Sequence, residues 1–150
     1  MRGGHRPRYY SMRLLLIYGE QDAGKSTTCL RLHKMLKGID AIVDFYERFP
    51  WGDFKSVLKL HGTKIAIYSA GDEKQHLQNA IDFGNSQACD LLVAVVRTGT
   101  HYNETLADLT RGEDFEWFTL VKGINTDEVS LNETRMVIQL FNEIVKAAGL

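Results

Sequence analysis

The residues best placed to do chemistry are Lys25 and Ser26, in the run Gly19-Glu20-Gln21-Asp22-Ala23-Gly24-Lys25-Ser26. An apolar stretch, Leu14 to Tyr18, precedes this run, and Thr27-Thr28-Cys29-Leu30-Arg31-Leu32 follows it with helical character. The sequence therefore reads as strand, tight loop and helix start. Glycines at both ends of the loop let its backbone turn sharply and aim N–H groups inward, where an anion can sit. The helix adds its first amides and the positive end of its dipole. An ammonium at position 25 reaches the terminal phosphates of a bound polyphosphate, and a hydroxyl at position 26 is an oxygen ligand for magnesium.

This spacing resembles the Walker A loop of the P-loop NTPase superfamily, most closely its small kinase-type members. Every defining position of that motif is matched. The resemblance implies ATP or GTP with Mg2+ as the bound species. It assigns nucleotide contacts to Gly19, Asp22, Ala23, Gly24, Lys25, Ser26 and Thr27. It also implies that strands two and three flank the first strand on one side, with four and five on the other. The site would lie at the carboxyl ends of the strands.

Four strand ends then become candidates. Strand three, Lys64 to Ser69, runs into Ala70-Gly71-Asp72-Glu73. Tyr68 and Ser69 stand where most superfamily members carry an acid. Asp72 is the replacement expected here as metal-side or water-orienting acid, with the Gly71 N–H on the terminal phosphate. Strand two, Ala41 to Tyr46, contains Asp44, with Glu47 and Arg48 close behind. In small-molecule kinases this region receives the acceptor, so Asp44 is expected to take the acceptor's hydroxyl proton or to hold magnesium through water. Arg48 would clamp an anionic acceptor. Strand four, Leu91 to Val96, delivers Arg97, a cation suited to the transition-state charge. After strand five, Lys122-Gly123-Ile124-Asn125-Thr126-Asp127 lacks the Asn-Lys-x-Asp order that reads guanine. The expected catalytic set is Lys25, Asp44, Asp72 and Arg97, and the expected metal set is Ser26, Asp44 and Asp72.

Elements to position these groups alternate along the chain. Helices are expected from the loop to about Lys37, from Glu73 to Ala88, and from about Ser130 onward, where Ser130 and Glu133 fit a capping box. Phe54, Val57 and Leu58 have helical spacing and suggest a short helix. The fold class expected is α/β, a three-layer sandwich around a five-stranded parallel sheet, with one domain over residues 12–150. Met1 to Ser11, carrying Arg2, Arg6 and Arg8, reads as a loose basic arm.

Composition narrows the function classes. Hydrophobic residues make up 44% and charged residues 25%, which suits a globular domain. A formal charge of −1 argues against a general nucleic-acid or membrane-surface binder. Cys29 and Cys89 lack metal-ligand spacing and are too few for a disulfide framework, which fits a reducing cytoplasm. The function expected is Mg2+-dependent phosphoryl transfer from a nucleoside triphosphate to a small acceptor. The alternative is an NTPase, switch or binding module completed by a protein partner or by self-assembly.

Overall fold

The computed structural model describes residues 12–20, 23–71, 74–97, 111 and 114–150, with the side chain of Lys74 left aside. The basic arm, Asp22, Asp72 and the stretch from Thr98 to Thr110 lie outside the described residues. The elements are β1 (Arg13–Gly19), α1 (Lys25–Gly38), β2 (Ile42–Arg48), β3 (Phe54–Leu60), β4 (Thr63–Tyr68), α2 (Lys74–Ser86), β5 (Leu91–Arg97), β6 (Asp114–Leu120) and α3 (Thr126–Ala147).

The fold is α/β, with a six-stranded sheet in the order β2-β3-β4-β5-β1-β6. This sheet is mixed, which corrects the expected five-stranded parallel one. β4, β5, β1 and β6 are parallel, whereas β2–β3 and β3–β4 pair antiparallel. The added strand is β3, the segment whose apolar spacing suggested a helix. Phe54, Leu58 and Leu60 are buried toward the α1 side, while Val57 packs in the α2-side core. Period-two burial on both faces thus overrides three residues that also fit a helix. His61 and Gly62, at φ 49 and 81, form the two-residue turn into β4. Positive φ at both central positions matches the right-handed twist of a hairpin.

A second correction concerns strand order. β5 lies between β1 and β4, so the fourth expected strand stands on the same side of β1 as the second and third, with β6 on the other. β1 is held by β5 on one side and β6 on the other.

Alternation along β1 divides the core. Leu15 and Ile17 face α1 and α3 with Cys29, Leu32, Leu36, Met136, Leu140 and Ile144. Leu14 and Leu16 face α2 with Leu77, Ala80 and Ile81. The start of α3 also differs from the expected Ser130. Asn125 caps it, its side chain accepting the Glu128 N–H at 2.9 Å, and Glu128 reaches back to the Ile124 N–H at 3.3 Å. That reciprocal pair satisfies the first amides four residues before Ser130, and Ser130 lies inside the helix. Among the described residues, no helix is long and apolar enough to cross a membrane.

Candidate functional site

β1 ends at Gly19, in register with Arg97 of β5 and Leu120 of β6. A Cβ at Gly19 would lie 2.7 Å from the Leu120 carbonyl oxygen, so only glycine leaves the sheet here without displacing β6. Gly24 caps α1 at φ 100 and, having no side chain, supplies no cap of its own, while the Thr28 hydroxyl donates to its carbonyl at 2.8 Å. Lys25 is 5% exposed. Its Nζ donates to the Gly19 carbonyl at 2.9 Å and to the Glu20 carbonyl at 2.5 Å. The ammonium is therefore folded back over the loop that precedes it. α1 carries no acid in its first turn, so the helix dipole there is not offset from within the helix.

Gly24 has an unexpected neighbour. A Cβ on it would meet Glu133 Oε2 at 2.3 Å. Glu133, expected as part of a helix cap, instead projects from the second turn of α3 onto the loop and faces Arg31 at 3.8 Å.

Ser26 points to the other side. Its hydroxyl donates to Asp53 Oδ1 at 2.9 Å and lies 3.3 Å from the Ser69 carbonyl. Asp53 Oδ1 also accepts the Ser69 hydroxyl at 3.2 Å, and Asp53 Oδ2 accepts the Trp51 indole N–H at 2.9 Å. The Ser69 hydroxyl accepts in turn the Phe54 N–H at 2.9 Å. The carboxylate is thus fixed by three donors. The turn that carries it is stiff as well. Pro50 presets its entry, Gly52 takes φ 105, the Gly52 N–H reaches the Phe49 carbonyl at 3.0 Å, and Phe49 stacks on Trp51 at 4.7 Å.

Asp53 is the acid that sequence reasoning missed. The signal was the alternation of 54–60. A strand there must run back from the site edge, which puts the residue before it at the carboxyl end of β4. Of the pair Tyr68 and Ser69, Ser69 turns toward α1 and Tyr68 toward α2. Tyr68 packs against Phe49 and Phe83, and burial first, then the charges of Asp53 and Glu47, push its phenol up against a hydrogen bond from Asn79. Burial and the Asp53 charge likewise push the Cys29 thiol up, so it is no nucleophile.

Beyond Ser26 opens a cavity of about 260 Å3 whose lining includes Leu30, Tyr46, Arg48, Asp53, Phe54 and Ser69. Arg48 ends β2 at this cavity. Asp44 does not reach it. It sits at an irregularity in β2 between Val43 and Phe45, level with the far half of the sheet, and pairs with Lys59 at 3.9 Å. Four strand steps of about 3.3 Å each separate it from Arg48. That position sets Asp44 apart from Ser26 and Asp53.

Gly71 is buried across β5, where a Cβ would lie 2.3 Å from the Val95 carbonyl oxygen. Its own carbonyl accepts the Arg97 N–H at 3.3 Å. Arg97 ends β5 beside Gly19, half-buried. Asp22 and Asp72, both expected in the site, lie outside the described residues. Among the described residues, no three His, Cys, Asp or Glu side chains cluster as a ready metal cage.

No family model matches this chain, and neither any curated protein nor any solved structure compared with it does.

Proposed function

We propose that this protein binds a magnesium nucleoside triphosphate on the loop from Gly19 to Thr27 and transfers its terminal phosphoryl group to a small acceptor. The loop resembles the Walker A motif, and this reading makes the fold P-loop NTPase-like. The observation that carries it is the 2.9 Å contact between the Ser26 hydroxyl and Asp53 at the edge of a cavity. A hydroxyl and a carboxylate oxygen so close together suit a hard divalent cation that keeps several waters and leans on phosphate oxygens. Asp53 thereby supplies the acid that Tyr68 and Ser69 do not. Bound magnesium would offset the charge of the phosphates. Lys25 would trade its two carbonyl partners for phosphate oxygens, which are stronger acceptors for an ammonium. Arg97, in register with Gly19, would face the same charge.

A second reading, hydrolysis completed by a protein partner or a second copy, draws on one feature. Trp51 is 61% exposed and bonded directly to Asp53, so a docking surface would touch the carboxylate's own support.

The test is thermal stabilisation by nucleotide, followed by turnover. Saturating ATP–Mg2+ or GTP–Mg2+ at about 100 times Kd stabilises the native state by about 2.7 kcal/mol. Wild type is expected to show that shift and Lys25→Ala to lose it. Asp44→Asn is expected to match wild type in both binding and ADP release. An equal nucleotide shift in wild type and Lys25→Ala refutes the site assignment.

A further inference from the structure

The cavity beside Ser26 has a composition that selects its occupant. Leu30, Tyr46 and Phe54 give it apolar walls, with Tyr46 stacked on Phe54 at 5.5 Å. At 260 Å3 it falls below the roughly 300–1,000 Å3 of sites for drug-sized ligands, so the occupant is small. Two charged groups line it, Arg48 and Asp53. Asp53 is committed to Ser26, Ser69 and Trp51. Arg48 is not committed. Among the described residues its guanidinium makes no ion pair or hydrogen bond, and its Nη2 lies 3.9 Å from the Cβ position of Gly52, folded over the turn that carries Asp53.

An unpartnered guanidinium beside an apolar wall accepts a planar anion in bidentate fashion. One cation balances a monocarboxylate. A phosphate monoester, at about −1.5 to −2, would leave excess negative charge facing Asp53. We infer that this cavity binds a small hydroxycarboxylate, its carboxylate on Arg48, its carbon body against Leu30, Tyr46 and Phe54, and its hydroxyl toward Asp53 and Ser26. This rests on the phosphotransfer reading above and names its acceptor class. In the reaction, the hydroxyl oxygen forms a bond to the γ-phosphorus. The bond from that phosphorus to the β–γ bridging oxygen breaks, and the nucleoside diphosphate leaves with the electron pair. The hydroxyl proton passes to solvent water at the cavity mouth.

The experiment has two arms on the full chain. In the first, mandelate, 3-hydroxybutyrate and 4-hydroxyphenylacetate are titrated without nucleotide and stability is followed, with mandelamide as the uncharged match. In the second, the same acids are added to ATP–Mg2+ and ADP is measured, with phenylacetate as the match lacking a hydroxyl. At least one hydroxy acid is expected to stabilise wild type and to drive ADP release, and neither match is expected to do both. Arg48→Ala, at an exposed strand end, should weaken the binding about tenfold or more. Asp53→Asn should keep the acid's stabilising shift and lose the acid-dependent ADP. Silence across the acids in both arms, with the ATP–Mg2+ shift intact, overturns the inference and leaves the nucleotide reading standing. An unchanged acid affinity in Arg48→Ala also overturns it. Loss of the ATP–Mg2+ shift itself refutes the parent reading, and the acceptor assignment with it.

Discussion

Replacing Gly24 by alanine tests how the loop is held, whatever it binds. At φ 100 the residue is in a region that costs an L-amino acid about 1–2 kcal/mol. The new methyl would also lie 2.3 Å from Glu133 Oε2, 2.9 Å from its Cγ and 3.0 Å from its Cδ. Glu133 is only 9% exposed, so it cannot simply rotate into water. It must push α3 outward or abandon its place beside Arg31. Such overpacking costs about 1–3 kcal/mol, and the 3.8 Å pair with half-exposed Arg31 adds no more than about 1 kcal/mol. The sum is about 2–6 kcal/mol, or roughly 4–24 °C in Tm for a domain of this size. Calorimetry or urea unfolding reads it directly. A double-mutant cycle separates the two causes. With Glu133→Ala in the background, Gly24→Ala should retain only its backbone part, giving a coupling of about 1–3 kcal/mol. Gly38→Ala is the control, since open space surrounds it and its φ is ordinary. It should be neutral or stabilise by about 0.4–1 kcal/mol. Additive single-mutant costs, or a Gly24→Ala protein within about 0.5 kcal/mol of wild type, would refute the contact.

Two further outcomes follow from buried polar and backbone contacts. His33 pairs with the Ser56 hydroxyl at 3.0 Å between the rings of Tyr46 and Phe54, and burial, helped by Lys37, holds its folded pKa below the usual value. The neutral ring is the folded form, so its contribution is full above pH about 6.5. It falls as pH drops toward the folded pKa, by up to about 1.4 kcal/mol per pH unit. Unfolding of wild type and His33→Gln between pH 7.5 and 5 should differ by that slope, and parallel curves would exclude it. Gly71→Ala drives a methyl into the Val95 carbonyl, backbone against backbone, and is expected to cost about 2–4 kcal/mol in urea unfolding. A neutral effect would mean that the end of β4 does not press on β5.

How much of this was legible beforehand depended on whether a signal was local. The β1-loop-α1 unit announces itself because glycines, a lysine and a hydroxyl at fixed spacing share one short stretch. β5, apolar on both faces, reads directly as a central strand. Phe54, Val57 and Leu58 misled because three positions satisfy two periodicities, and only Ser56 bonding to His33 and Leu60 in the core decide for a strand. The order β4-β5-β1 has no sequence signal at all, since adjacency comes from how helices cross the sheet. Asp53 was hidden by that same helix expectation, and Asp44 was favoured because strand-end position had to be guessed from a boundary. Asn125 and Ser130 both precede a glutamate by three residues, and the structure forms the cap bonds at the earlier pair.

The partners of β1 set a schedule for assembly. The first strand waits for neighbours made late in synthesis, because β5 and β6 begin at Leu91 and Asp114. The hairpin arm from Ile42 to Tyr68 needs only near neighbours and is free to form early. Distant pairing of this kind slows folding and leaves a greasy ribbon, Leu14 to Ile17, uncovered in the meantime. The nascent chain is therefore most prone to aggregate before β6 emerges, and holdase chaperones have their clearest target in that strand.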